Sequence, residues 1–331
     1  MAKRSNQKLK LIYTLDILKK YSDEQNPLNA NEIAQKLLDY GIEAERKSIY
    51  NDIACLEEYG CDIIKDSCGW FIGDREFEVP EIYLLCDAVR SAKFISTKKT
   101  RELISKLHNM LSDFQVKKRE NSVFFSVDEK CTNEELYYNI DKISTAIENK
   151  KQIRLTYSSR GFSSLREVEK EKREMVINPY AMTWQDDHYY LVGNHTKYDN
   201  LLHLRLDRIS AVEILDSGVR HFSEVSEYTE YFDIADYTKK LFMMHTGELC
   251  DIELCCNKKI IEQVLDRFSE NIFIKNVTED SFEFRVPAVI SEALVTWIIN
   301  YGENLTVLKP EKLKTMVIER AKQVLKNYNE E

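Results

Sequence analysis

Glycine and proline are scarce in this chain, at nine and five of 331 residues. A loop that wraps a phosphate needs clustered glycines, and neither GxxxxGK[ST] nor GxGxxG occurs; GxSxG and HExxH are missing as well. The six histidines, His108, His188, His195, His203, His221 and His245, follow no ligand spacing. His188 and His195 flank a strand and are expected at the surface. The eight cysteines form no CxxC pair and have no histidine at zinc-finger spacing, so free thiols, no metal and no cofactor are expected. An enzyme is therefore not expected. No run approaches the roughly 18 apolar residues that would cross a bilayer, so no membrane partner is expected. The basic opening MAKRSNQKLKL leads into a helical pattern rather than a short apolar core with a cleavage site, which makes the cytoplasm the expected compartment.

What is present is 43% hydrophobic and 31% charged, enough apolar material for two or three domains. Residues 9–21 place Leu11, Leu15 and Leu18 on one helical face with Ile12 beside them. Asn26-Pro27 breaks the pattern, and Asn29 with Glu32 has the spacing of a capping box. The helix behind it turns Ile33, Leu37 and Leu38 inward and stops at Gly41. A third helix over 45–59 turns Ile49, Ile53 and Leu56 inward and ends at Gly60, and a short hairpin follows at 62–65 and 70–73. Three helices and a two-stranded wing predict a winged helix-turn-helix.

The third helix has the composition of a reader of duplex DNA. Such a helix needs short polar and basic side chains outward and aliphatic ones inward. Arg46, Lys47, Ser48, Tyr50 and Asn51 lie off the Ile49/Ile53/Leu56 stripe, and a basic arm of Lys3, Arg4, Lys8 and Lys10 leads in. Residues 1–76 nevertheless hold 11 Lys and Arg against 14 Asp and Glu, within a chain of net charge −9. That predicts modest affinity per subunit, strong salt dependence and binding as a dimer on two half-sites.

Pro80 opens further helical patterns through Ile82, Leu85, Val89 and Phe94, then Leu103, Leu107, Met110 and Leu111, continuing to about residue 131. Another helix over 136–149 carries Leu136, Ile140, Ile143 and Ile147. The period then becomes alternating, with strands expected at 152–157, 174–178, 180–184, 188–193, 201–205 and 209–215 and a polar, mobile loop over 158–172. These short strands suggest a small barrel or curled sheet. Beyond Gly247, strands at 251–256, 272–277 and 281–286 and helices near 258–268, 291–301 and 310–327 suggest a compact α+β unit.

The run His188-Tyr189-Tyr190-Leu191-Val192-Gly193, followed by Leu202-His203-Leu204-Arg205-Leu206-Asp207-Arg208-Ile209, resembles the core of a WYL domain. Ile143, Ile147, Ile153, Leu155 and Tyr157 match its helix and first strand, and Asn178-Pro179-Tyr180 its middle. Tyr189 stands where the family's name-giving Trp would be. The stretch Arg46-Lys47-Ser48-Ile49-Tyr50-Asn51-Asp52-Ile53 is similar to the winged helix that usually precedes a WYL domain.

The resemblance implies an α+β multidomain regulator of transcription: a winged helix-turn-helix over 1–76, a helical connector over 77–135, an Sm-like WYL β-barrel over 136–220, and an α+β extension over 245–331 that dimerises. It also implies that the barrel senses a negatively charged effector, a nucleotide or single-stranded nucleic acid. The residues give that expectation a physical basis. His203 and Arg205 share a strand face and Arg208 follows the turn at Asp207, while Tyr157 ends the first strand with Ser158 beside it. An ion pair of Arg205 or Arg208 with Asp207 or Glu213 is the competing structural reading. Tyr189 and Tyr190 alternate faces, so at most one reaches a pocket, and core packing is the expected role of either. A module that binds single strands or another protein, without reading an operator, is the alternative for the whole chain.

Overall fold

A computed structural model describes residues 9–120, 130–162, 168–269 and 272–328. Lys3, Arg4 and Lys8 of the expected basic arm lie outside the described residues. The chain divides into two compact units, residues 1–132 and 133–331.

The first unit begins with α1 (Lys10–Tyr21), α2 (Ala30–Asp39) and α3 (Arg46–Tyr59), followed by the strands β1 (Ile63–Lys65) and β2 (Trp70–Ile72). Asn29 and Glu32 close the capping box that starts α2, and Gly60, with φ of 103°, ends α3 in the left-handed conformation. Ile17, Leu18, Ile33, Leu37, Ile49, Ile53 and Leu56 form one buried core with Trp70 and Ile72. Each such aliphatic side chain contributes about 1.5–3 kcal/mol by leaving water. The backbones of Leu28 and Trp70 exchange two hydrogen bonds of 2.9 Å, which fixes the hairpin to the lead of α2. Gly69 makes this approach possible, since a Cβ there would sit 2.3 Å from the Leu28 carbonyl.

Two inward faces differ from the sequence expectation. In α1 the buried stripe is Lys10, Thr14, Ile17 and Leu18, while Leu11 and Leu15 flank it and Ile12 is exposed. An apolar count passes over Lys10, yet its ammonium pairs with Asp52 at 2.9 Å and donates to Ser48. Lys10 thus belongs to the core rather than to a basic arm. In α2, Leu38 is exposed, because Ile33 and Leu37 already fill the stripe and Leu38 lies about a quarter-turn past it.

The unit continues with α4 (Val79–Ser91), α5 (Thr97–His108) and α6 (Asp113–Glu120). Ile82, Cys86 and Leu111 form a second small core, with Cys86 inward where Leu85 was expected and Leu85 exposed. Arg75 donates to the carbonyls of Lys19 and Ser22 at the end of α1 and of Met110 after α5. Ser112 donates to the buried carboxylate of Asp23.

The second unit starts with α7 (Leu136–Glu148), then β3 (Lys151–Phe162), β4 (Val168–Gln185), β5 (His188–His195), β6 (Leu201–Arg205) and β7 (Ile209–Gly218). These strands form an antiparallel sheet in the order β6-β5-β4-β3-β7. The two strands expected at 174–178 and 180–184 are one strand, β4, with a register shift between Pro179 and Ala181. Of the loop expected over 158–172, residues 158–162 and 168–172 are instead paired strands, from Ser158↔Lys172 to Phe162↔Val168, and residues 163–167 lie outside the described residues. The charged, two-sided sequence of these strands carries no apolar alternation, so periodicity gave no strand signal. Asn139 donates to the Ile209 carbonyl, and Lys142 to that of Val212, which docks α7 on β7.

After α8 (Ile234–Lys239), a four-stranded antiparallel sheet takes the order β11-β8-β10-β9. Its members are β8 (Glu248–Asn257), β9 (Phe273–Val277), β10 (Ser281–Ile290) and β11 (Leu305–Lys309), with α9 (Ile261–Phe268), α10 (Glu292–Asn300) and α11 (Glu311–Tyr328). Phe284, Ile252, Leu254, Val264, Leu294 and Leu313 lie in its core. The architecture is mixed α+β with several sheets. Among the described residues, no helix is long and apolar enough to cross a membrane.

Candidate functional site

Among the described residues, the candidate site residues come together in one arrangement in each unit. In the first, α3 turns Ile49, Ile53 and Leu56 inward, and its spacing leaves Arg46, Lys47, Tyr50 and Asn51 exposed. Tyr50 packs edge-on to Trp70 at 4.9 Å between centroids, and Arg46 donates to the Tyr50 hydroxyl at 3.2 Å. The hairpin therefore supports the outward face of α3. Ser48 is placed differently, half-buried against α1 and accepting from Lys10. A groove of about 200 Å³ runs between the first turn of α2, α3 and the hairpin, lined in part by Asn31, Arg46, Tyr50, Lys65 and Ser67.

In the second unit, β6 ends in Arg205 and a single helical turn (Leu206–Arg208) leads to β7. Arg205 donates from Nε to Asp207 Oδ1 at 3.0 Å and from a terminal nitrogen to Oδ2 at 2.7 Å. This hydrogen bond raises the guanidinium's pKa further above its ordinary value, so the charge is permanent. Glu213, the other expected partner, pairs with Arg154 instead. Tyr190 stands directly opposite Arg205 across β5 and β6. Burial pushes the Tyr190 hydroxyl up while the positive Arg205 pulls it down, and Tyr157 also interacts electrostatically with both. Tyr157 continues the inward row of Ile153 and Leu155 along β3, which turns Ser158 to the opposite face.

His188 also belongs to this cluster, although the sequence reading put it at the surface. Its ring lies edge-on to Tyr190 at 6.3 Å. Its Nδ1 is buried and, among the described residues, has no hydrogen-bond partner. Burial lowers its pKa, and Arg205 and Arg208 lower it further against Asp207 and Asp187. The ring is therefore neutral near pH 7. No motif spacing marks His188, but the strand period does, since it lies two residues before Tyr190 on the same face of β5.

His203 shares the face of Arg205 but is committed elsewhere. Its Nδ1 meets the Met244 carbonyl at 2.6 Å and its Nε2 the Tyr237 hydroxyl at 2.9 Å. Burial holds its pKa down to about 4. The structure thus gathers Tyr157, Tyr190, His188, Arg205 and Arg208, with Asp207 between the arginines, and engages His203 with α8 and the turn after it. This arrangement offers fixed positive charge, an aromatic hydroxyl and a neutral imidazole. It has the chemistry to hold an anion, in competition with Asp207.

Residues 138–214 match the family model of the WYL domain, and residues 248–325 that of the WCX domain. No curated protein matches the chain. Among solved structures, the chain is similar to proteasome accessory factor B/C (PafBC) of Arthrobacter aurescens, with 18% identity and a TM-score of 0.28. That match covers 97% of this chain and 49% of the other, so the chain spans about half of PafBC's length. It is also similar to a CRISPR Cas-related protein, with 14% identity, a TM-score of 0.35 and coverage of 94% and 98%.

Proposed function

We propose that this WYL-domain protein, which carries a WYL domain followed by a WCX domain, is a ligand-responsive transcription regulator that binds duplex DNA as a dimer and is not an enzyme. The observation that carries this reading is the outward face of α3, where Arg46, Lys47, Tyr50 and Asn51 are exposed beside a hairpin that packs on Tyr50. We read residues 1–76 as a winged helix-turn-helix that lays α3 in the major groove. Asn51 and Arg46 then meet base edges, and Lys47 meets phosphate. The groove between α2 and the hairpin, with Arg46 and Lys65 on its walls, suits a backbone phosphate. Ser48 supports the helix rather than touching DNA, since Lys10 occupies its hydroxyl.

In this reading the five-stranded sheet of the WYL domain, Sm-like in its curl, is the sensor. Tyr157, Arg205 and Arg208, joined by Tyr190 and His188, hold a negatively charged effector such as a nucleotide or a single strand. Binding shifts the population of dimer arrangements, and so the spacing of the two α3 helices, because the effector prefers one arrangement. The weak basic character of residues 1–76 makes the dimer necessary for useful affinity.

Gel-shift titration against the duplex upstream of the protein's own gene is the test. The expected result is a salt-sensitive, sequence-specific complex that Lys47→Ala weakens uniformly and Asn51→Ala weakens by about 1–3 kcal/mol on the specific site only. Arg205→Ala is expected to keep basal duplex binding and lose the response to effector. Binding of single strands alone, with Arg46 and Lys47 dispensable, would instead establish a single-strand-binding module.

A further inference from the structure

The second unit holds a cavity of about 240 Å³, away from the arginine cluster, between the start of β6, residues 225–228, α8 and the strands β8 and β10. We propose that it is a second ligand site, for a small molecule with an apolar body and one protonated amine. Its size lies below the roughly 300–1,000 Å³ of sites for drug-sized ligands, which suits one ring with a short side chain. Leu201, Leu241, Leu249 and Val289 supply aliphatic walls, and Tyr228 and Tyr237 aromatic ones.

The charge on the wall selects among ligands of that size. Lys240 is its only lining cation among the described residues, and it is shared by Glu227 Oε1 at 2.8 Å and Asp236 Oδ2 at 2.6 Å. The Tyr228 hydroxyl donates to that same Asp236 oxygen at 2.6 Å. Glu227 lines the cavity and Asp236 stands behind Lys240, so one ammonium between two carboxylates leaves a net negative cluster at the wall, and Asp199, also lining, is matched by Arg220 at 2.8 Å. Lys240 already lies over the Tyr228 ring, at 5.6 Å from its centroid, so what an ammonium gains here is Glu227's second oxygen, which a carboxylate or phosphate ligand would oppose. The preference is opposite to that of the Arg205 cluster.

The site also has a route to the rest of the WYL domain. Leu201 is a residue of β6, and the Tyr237 hydroxyl meets His203 of the same strand at 2.9 Å. An occupant therefore presses on the strand that ends in Arg205. The proposal itself does not depend on whether that cluster binds anything.

The test is calorimetric titration of the full chain with 2-phenylethylamine, 2-phenylethanol and 3-phenylpropionate, a matched cation, neutral molecule and anion. The amine is expected to bind at least tenfold more tightly than the alcohol, with no heat from the carboxylate. Glu227→Gln should weaken the amine at least tenfold and leave the alcohol unchanged. Leu249→Trp, at a position 37% exposed and so tolerant of a larger side chain, should fill the cavity and abolish amine binding while the melting temperature holds. Arg205→Ala should leave amine affinity unchanged, which separates this site from the arginine cluster. The proposal is overturned if the amine fails to bind, if the carboxylate binds as well as the amine, or if neither Glu227→Gln nor Leu249→Trp alters amine binding.

Discussion

Arg205 and Asp207 grip each other fork to fork, at 3.0 and 2.7 Å, across a single intervening residue. The carboxylate aims the guanidinium and also occupies two of its donors. An incoming anion must compete with Asp207, so the pair sets both the orientation and the affinity of the cluster.

Asp207→Asn is accordingly expected to bind inorganic tripolyphosphate roughly threefold or more tightly than the natural chain, with a steeper loss of affinity as salt rises. Titrations at two ionic strengths check this. An unchanged affinity would place the anion elsewhere.

Lys10 and Asp52 form an ion pair whose side chains are 9% and 13% exposed. Removing one partner of so buried a pair leaves the other charge uncompensated. Lys10→Met is expected to destabilise the first unit by about 3–5 kcal/mol, and Lys10→Met with Asp52→Leu to recover much of that loss. Denaturant midpoints of the single and double variants measure it.

A Cβ at position 69 would collide with backbone rather than with a side chain that can turn away. Gly69→Ala is expected to push the hairpin off Leu28 and break the paired Leu28 and Trp70 bonds, at a cost of about 2–4 kcal/mol. Loss of amide-exchange protection at Leu28 and Trp70 is the specific sign, with α4–α6 unaffected.

His203 supplies a pH dependence whose sign follows from its depressed pKa, about 4 in the folded chain against 6.5 when exposed. Between those values the unfolded chain binds the additional proton, so stability rises with pH and is lost as pH falls from about 6.5 toward 4. The loss between pH 7 and pH 5 is about 2 kcal/mol. His203→Gln should flatten this part of the stability profile, which thermal melts at the two pH values would show.

Legibility in the sequence followed physical type. The Ile49, Ile53 and Leu56 stripe, the Asn29–Glu32 box and the left-handed Gly60 all follow local rules that a short window contains. Lys10 did not, because a lysine counts as surface until its partner, 42 positions away in Asp52, is known. Strand β11 was missed because its five residues bury only Leu305 and Val307, too few alternations to stand out between two helices. At the arginine cluster, the strand period put Arg205 and His203 on one face, and Asp207 was a foreseeable partner. Only tertiary packing sends His203 to Met244 and Tyr237 and brings His188 beside Tyr190.

Arg75 makes the first unit a single lever. It binds carbonyls at the end of α1 and after α5 at once, and Asp23 with Ser112 adds a second fastening between the same parts. Each charge-assisted bond of this kind contributes about 1.5–3 kcal/mol. Helices α4–α6 therefore do not act as a slack tether for α1–α3. The fastened parts run on from α1 to α3 through the Lys10–Asp52 pair.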